Sequence, residues 1–328
     1  MMTIKIHELS RDEYDLWDGL VENSPQGTIF HSIHWLTTTS RSLKLQFKLI
    51  GAFIGDQLVG GCCFYELKHF RLLKHAMTNV QLTPYSGFVI SRSDRTSIRA
   101  NEVWHNEILS ALSNYICTLN YIHINIVNNP FLIDIRPLIW NGWRTSVHYT
   151  YLLPLDTDME ALASRNIRRS VKKAQTERIE VQKLYDQELM WNLQVKTYEK
   201  QNQEVPYAKK HLFDLMDMVH QNGMGEMWVA TTPDNTAVSA EYILWDKQGA
   251  YRWVAAADPD KLWTGSTPFL LYEIFRDLQS FGITKIFMMA ANTPHLSTFA
   301  SNFNPILMPY YGVTNKSNSF MMMMRNNK

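Results

Sequence analysis

Phe47 to Leu67 reads FKLIGAFIGDQLVGGCCFYEL. Two apolar runs flank Gly55-Asp56-Gln57, and that arrangement predicts two antiparallel strands joined by a tight turn. Gly225 to Trp245, GEMWVATTPDNTAVSAEYILW, repeats the pattern with Pro233-Asp234-Asn235 at the turn. The segments downstream of the two hairpins also agree in order. After the first come a helical stretch over Ile98–Leu119, the β-rich YIHINIV (121–127), a segment opening at Pro130, and the strand-like RTSVHYTYLLPL (144–155). After the second come a helix opening at Pro268 and stopping before Gly282, the strand ITKIFMM (283–289), a short helix after Pro294, and PILMPYYGV (305–313). Glycine marks a helix C-terminus because it enters the left-handed region without strain. A hairpin–helix–strand–helix–strand unit stated twice predicts two α/β (α+β) domains of similar build, covering 1–155 and 156–328.

The bulk numbers agree. A chain of 328 residues suits two domains, and 40 aromatic rings suffice for two cores. A formal charge of +1 argues against a general nucleic-acid binder, and no DNA partner is expected. The cysteines, Cys62, Cys63 and Cys117, contain no C-x-x-C pair and read as the reduced thiols of a cytoplasmic protein. His31 and His34 lack a carboxylate or thiol at ligand spacing, so no metal site is expected. The N-terminus has no apolar signal region. Leu49 to Tyr65, the most apolar stretch, is broken by Gly55-Asp56-Gln57, a hairpin pattern rather than a membrane span. Gly60-Gly61 and Gly223-x-Gly225 are too short to be phosphate loops. In the tail, SNSFMMMMRNNK, Phe320–Met324 reads as a last strand or docking segment.

Between the two repeats lies SRNIRRSVKKAQTERIEV (164–181), with Arg165, Arg168, Arg169, Lys172, Lys173 and Arg178 against Glu177. Ile167, Val171 and Ala174 recur three and four apart, which predicts an amphipathic helix with its cations on the other face and Ser164 or Asp158 as N-cap. Two more helices, Gln187–Gln201 and Pro206–Gln221, precede the second hairpin. Such a density of cations suits an anionic ligand, because guanidinium forks a phosphate; a solvated helix face is the alternative.

These residues carry a resemblance. RNIRRSVKKAQ, followed by about fifty helical residues and then MWVA, VSAEYILWDKQGAYRWVAAADPD and GSTPFLLYEIFRDLQSFGITKIFMMAANTP, resembles the second domain of FemABX-like, GNAT-type acyltransferases. IFHSIHWL and PYSG (84–87) resemble parts of the first domain. The resemblance implies two tandem GNAT-like domains, each a mixed, mostly antiparallel sheet flanked by helices. It also implies transfer of an acyl or aminoacyl group to an amine of a cell-envelope precursor, with acyl-CoA or aminoacyl-tRNA as donor and no other cofactor. The family's cations at the start of the second domain face an inter-domain groove, which assigns Arg165, Arg168, Arg169 and Lys172 to the substrate. Two departures stand out: Met288 replaces the aspartate of F-D-F-x-G, and Phe303-Asn304-Pro305 replaces F-G-G. The coiled-coil arm is absent. A catalytically silent relative that binds a ligand or partner is the alternative.

Amine acylation needs a neutral amine, donors for the oxyanion and a grip on the carrier's anionic tail. Gly265, Ser266 and Thr267, just before a helix, are candidates for that grip, since free N–H groups there attract anions; an ordinary capped helix is the plainer reading. Glu241 in a strand is the candidate base, unless Arg252 on the next strand, itself a candidate for binding an anionic substrate, pairs with it. Tyr85 is a second catalytic candidate. Asn292, with Tyr310 and Tyr311, is a candidate for orienting substrate.

Overall fold

The computed structural model describes residues 3–69, 73–93, 95–158 and 163–316. The tail segment Phe320–Met324 lies outside the described residues. Elements run in the order β1 (Lys5–Glu8), α1 (Tyr14–Asn23), α2 (Ile33–Leu43), β2 (Gln46–Ile54), β3 (Gln57–His69), β4 (Leu73–Met77), β5 (Gly87–Ile90), α3 (Ile98–Thr118), β6 (His123–Val127), α4 (Arg136–Trp140) and β7 (Arg144–Pro154). Next come α5 (Arg165–Thr176), β8 (Glu180–Lys183), α6 (Gln187–Glu199), α7 (Lys209–Gln221), β9 (Gly225–Thr231), β10 (Ala237–Asp246) and β11 (Gly249–Ala257). The chain continues through α8 (Ser266–Ser280), β12 (Lys285–Phe287), α9 (Pro294–Ser301) and β13 (Ile306–Lys316).

Both hairpins form as read. Ile54 pairs with Gln57 around Gly55 at φ +59°, and Thr231 pairs with Ala237 around Asn235 at φ +61°. Such positive φ values explain why Gly and Asn stand at the two turns. Among the described residues two compact units result: those up to 148 together with 309–316, and those from 149 to 308.

In the first unit the sheet runs β1-β2-β3-β4-β6-β13, with β5 also on β3. The run Cys62-Cys63-Phe64-Tyr65 is apolar without a break because β3 is covered on both faces. Cys62 and Phe64 pack with Ile108, Leu109 and Leu112 of α3, whereas Cys63 and Tyr65 pack with Trp17 of α1 and Leu36 of α2. Gly60 and Gly61 let those helices close in: a Cβ on Gly60 would stand 2.6 Å from Ile108 Cγ2, and one on Gly61 2.5 Å from Trp17 Cζ3. These glycines serve packing. The three cysteines are free thiols.

The second unit's sheet runs β7-β12-β11-β10-β9-β8. Ile167 and Ala174 of α5 and Phe269, Leu270, Ile274 and Leu278 of α8 share one core with Trp228, Ile243 and Ile286 of the sheet. Trp228 Nε1 donates to Asp277 at 2.9 Å. Helices α6 and α7 add the buried Met190, Leu193, Leu212, Leu215 and Val219.

The two closing strands depart from a simple tandem of repeats. The strand after α4 is β7, yet its Leu152–Pro154 end pairs antiparallel with β12 of the second unit. The strand after α9 is β13, yet Gly312–Lys316 pairs with β6 of the first unit. A division at 155 thus leaves the second repeat's closing strand with the wrong sheet. Periodicity reveals a strand but not its partner, which is why the exchange is invisible in the sequence.

His31 is buried and caps its own turn, Thr28 N–H donating to Nδ1 at 3.2 Å. Burial pushes its pKa down to about 3, against opposing backbone hydrogen bonds at Ser86 and Thr28. The unfolded chain therefore binds a proton below about pH 6.5 that the folded unit refuses. Stability is full above that pH and is lost as pH falls toward 3, with a slope approaching about 1.4 kcal/mol per pH unit. Urea unfolding measured between pH 7 and pH 5 should show that decline, and His31→Asn, which keeps an acceptor but cannot titrate, should flatten it.

Candidate functional site

Helix α5 is the basic segment. Ser164 caps it, its hydroxyl accepting from Ile167 N–H at 3.4 Å and donating to Asn302 at 3.1 Å. Asp158, the other cap candidate, is not the N-cap. Ile167 and Ala174 are buried, and Arg165, Arg168, Arg169, Lys172 and Lys173 are exposed. Within the second unit α5 lies along α8, and the two border a pocket of about 770 Å³. Arg168 and Lys172 line it from α5; Tyr272, Glu273, Arg276 and Gln279 line it from α8; Thr157 and Asp158 lie at its edge. Arg168 Nη1 donates to Ala163 O at 2.8 Å, and Arg276 lies 3.2 Å from Glu273. Three cations thus face two carboxylates, a lining that accommodates an anion carrying an amine nearby. Arg165 and Arg169 do not line this pocket. Sequence periodicity missed Arg276 and Glu273 because nothing local distinguishes them from any polar helix face.

The segment Gly265–Thr267 is arranged differently from the expected open cradle. Gly265, at φ +76°, is the N-cap of α8, and a Cβ there would stand 2.5 Å from Ser170 O of α5. Thr264, Gly265 and Ser266 are buried. Thr264 Oγ1 accepts from Ser266 N–H at 3.2 Å, using one of the helix's free donors. The hydroxyls of Ser266 and Thr267 are buried and make no hydrogen bond among the described residues. Gly265 therefore answers first to the approach of α5, and neither hydroxyl is the cap.

Beyond this turn lies the opening of the sheet. Strands β11 and β12 run parallel and pair only at Ala250–Ile286 and Tyr251–Phe287 before they part. Asp258 N–H turns inward to Val238 O at 2.8 Å, so alternation turns the main chain of Ala257 and Ala255 outward to the free edge. A free edge of that kind invites an extended ligand. Here α6 occupies it. Gln194 Nε2 donates to Ala255 O at 2.7 Å, and Thr197 Oγ1 accepts from Ala257 N–H at 3.2 Å and lies 2.9 Å from Ala257 O. Lys196 Nζ adds a contact to Asp258 Oδ2 at 2.8 Å. The sequence holds a faint signal of this: Met190, Leu193, Gln194 and Thr197 follow helical spacing, so two polar groups interrupt an inward stripe.

Glu241 and Arg252 form a closed pair on the neighbouring strands. Arg252 Nε and Nη2 donate to the two carboxylate oxygens at 2.9 and 2.6 Å. Both side chains are buried, and the guanidinium lies 5.6 Å from the Phe299 ring centre. A bulge between Tyr242 and Ile243 in the β10–β11 register brings the two onto one face. Burial pushes the Glu241 carboxyl above the usual carboxylate range, and the charge and hydrogen bonds of Arg252 pull it part of the way back. With both oxygens bonded to Arg252, Glu241 is already occupied as an acceptor in the interior. Arg252, expected on substrate, is spent on this carboxylate.

The remaining candidates are built into the frame. Tyr85 is fully buried in the first unit, edge-on to Phe30 and Tyr310 at 5.5 and 5.7 Å. Asn292 brackets β7, accepting from Tyr149 N–H at 2.8 Å and donating to Tyr149 O at 2.9 Å. Tyr311 O accepts from Asn128 at 3.1 Å. Met288 is buried in the core with α8, so the position where the family carries an acid faces hydrocarbon here. Asn304 sits at φ +51°, taking the left-handed position that suits glycine. No group of three or more His, Cys, Asp or Glu suited to a metal is found among the described residues.

Residues 162–295 match the family model of the acetyltransferase (GNAT) domain. That segment, most of the second unit, carries the match to a GNAT-type acyltransferase domain. Along its whole length the chain resembles FemX, whose crystal structure aligns over 98% of this chain and 99% of its own at 12% identity and a TM-score of 0.75. The C-terminal domain of a putative lysylphosphatidylglycerol synthetase from Agrobacterium fabrum aligns over 95% of both chains, at 12% identity and TM-score 0.59. A tandem GNAT protein from the clavulanic acid biosynthesis pathway aligns over 96% of this chain and 99% of its own, at 10% identity and TM-score 0.53. A search of curated protein sequences returned no match. At such identities the structural likeness establishes the fold, two tandem GNAT-like domains.

A buried pair broken on one side leaves an uncompensated charge. Arg252→Ala should therefore destabilise the protein by about 3–5 kcal/mol in urea unfolding, whereas the joint replacement Glu241→Leu with Arg252→Leu should recover most of that loss.

Proposed function

We propose that this acyltransferase moves an aminoacyl group from an ester carrier to the amine of a phosphate-bearing acceptor of the cell-envelope precursor class. The observation that carries the choice of donor is the closed edge of β11. The pantetheine arm of acyl-CoA bears two amides and needs main-chain partners in a sheet opening. At Ala255 and Ala257 those partners are held by Gln194 and Thr197 of α6. An ester carrier, such as the ribose end of an aminoacyl-tRNA, makes no such demand.

The pocket between α5 and α8 supports the acceptor reading. Its volume suits a medium-sized ligand, Arg168, Lys172 and Arg276 suit a phosphate, and Asp158 or Glu273 suits the acceptor's ammonium. The chemistry is balanced without a captive base. The acceptor's ammonium first releases a proton to solvent; the neutral amine then attacks the ester carbonyl, the new C–N bond forms, the C–O bond to the carrier breaks, and the nitrogen's excess proton passes to the departing oxygen, which leaves as the carrier's hydroxyl. This is compatible with a Glu241 engaged by Arg252. The likeness to FemX and to the C-terminal domain of a putative lysylphosphatidylglycerol synthetase accords with an envelope acceptor.

Two measurements test the reading. Protein incubated with radiolabelled aminoacyl-tRNA and a phosphorylated envelope precursor should yield labelled product, whereas acyl-CoA thioesters should release no CoA and should not raise the melting temperature. A bound donor at a hundred times its Kd would stabilise by about 2.7 kcal/mol, so a clear shift with a thioester would reverse the assignment; no transfer from either donor would return the silent-relative alternative. Arg168→Ala with Arg276→Ala should raise the KM for acceptor by roughly tenfold or more, with a weaker salt dependence than the wild type.

A further inference from the structure

Helix α5 spreads its cations over a wider arc than the pocket uses. At about 100° per residue, Arg168 and Lys172 turn toward the pocket, Arg165 and Arg169 point away from the buried Ile167–Ala174 line, and Lys173 turns to the opposite flank. On that flank stands a single 3-10 turn, Pro259–Thr264, in which Leu262 is 56% and Trp263 53% exposed. Lys173 Nζ lies 5.2 Å from the centre of the Trp263 ring.

The turn is braced at both ends. Asp258 caps Asp260 N–H at 3.0 Å and is held by Lys196, and Gly265 N–H closes back on Leu262 O at 3.2 Å. Thr264 Oγ1 donates to Lys261 O at 2.7 Å. Leu262 and Trp263 are thus held out in water by ordered backbone. Lys173 stands beside Trp263, and Arg165, Arg169 and Lys173 form no ion pair among the described residues; the acids nearest in sequence are Asp260 and Glu177.

We infer that this face docks on an anionic lipid bilayer. Trp263 and Leu262 enter the boundary between headgroups and acyl chains, where an indole is favoured. Arg165, Arg169 and Lys173 meet the negative surface charge, helped by Lys261 and Arg178. The adjacent leucine favours a bilayer over a nucleic acid: a ribose-phosphate chain has use for the cations and for a stacking indole, but not for an exposed aliphatic side chain. This assignment is independent of the donor reading, since it uses the outward side of α5 and not the pocket. No helix among the described residues is long and apolar enough to cross a membrane, so the contact is one of surface docking.

Co-sedimentation of the full-length protein with vesicles tests it. Binding is expected to vesicles of mixed phosphatidylcholine and phosphatidylglycerol and not to phosphatidylcholine alone, with quenching of tryptophan fluorescence by brominated lipid. Arg169→Glu with Lys173→Glu should lower partitioning by more than about twentyfold, since each charge near the surface is worth about fivefold. Leu262→Ser with Trp263→Ser should lower it several-fold and abolish most of the quenching. Failure of the wild type to bind the mixed vesicles, or undiminished binding by the charge-reversed protein, overturns the inference. So does binding of unfractionated tRNA in place of vesicles through the same cations. If the serine pair fails to fold, the charge variant and wild-type quenching still decide.

Discussion

The contact between the Ser170 carbonyl of α5 and the bare Cα of Gly265 governs the second unit. Any larger residue at 265 would meet that carbonyl at 2.5 Å and would also be strained at φ +76°. With glycine there, α5 settles against the start of α8, and one docking produces two features. On one side the helices border the pocket lined by Arg168, Lys172 and Arg276. On the other, the turn carrying Leu262 and Trp263 is brought beside Lys173.

The placement of charge obeys the same economy. A protein of formal charge +1 concentrates six cations in the stretch from Arg165 to Arg178. Helical geometry then divides the five on α5, with Arg168 and Lys172 toward the pocket and Arg165, Arg169 and Lys173 on its exposed side. Elsewhere, charge is neutralised internally. Glu241 and Arg252 satisfy each other in the interior at 2.6 and 2.9 Å, where either alone would be expensive to bury. Lys196 and Asp258 join α6 to the end of β11. The opening between β11 and β12 thereby becomes a braced wall, its outward main chain already satisfied by side chains of α6.

Much of this architecture is legible in the chain alone. The hairpins at Gly55 and Asn235, the amphipathic α5 with its Ser164 cap, and α8 ending ahead of Gly282 all arise from patterns that act over a few residues. The resemblance to FemABX-like acyltransferases rests on such local runs, and the GNAT match over residues 162–295 agrees with it. Site residues are harder. Arg168 and Lys172 stand out because cations cluster in sequence, but their pocket partners on α8 lie about a hundred positions away. Gly265, Ser266 and Thr267 read as an anion cradle until the backbone of α5 is seen against them. Tyr85 and Asn292 read as chemistry and are held as framework.

The sequence by itself determined the elements, their order, the doubling of the unit and the charge of α5, because propensity, turn dihedrals and hydrophobic period are properties of neighbouring residues. Only the tertiary structure decided which strand joins which sheet, so that β7 ends on β12 and β13 on β6. It alone decided that Gln194 and Thr197 take the edge of β11, and that Arg252 takes both oxygens of Glu241. Hydrogen bonds between groups 11 to 61 positions apart depend on how packed faces bring them within about 3 Å, and no local pattern encodes that distance.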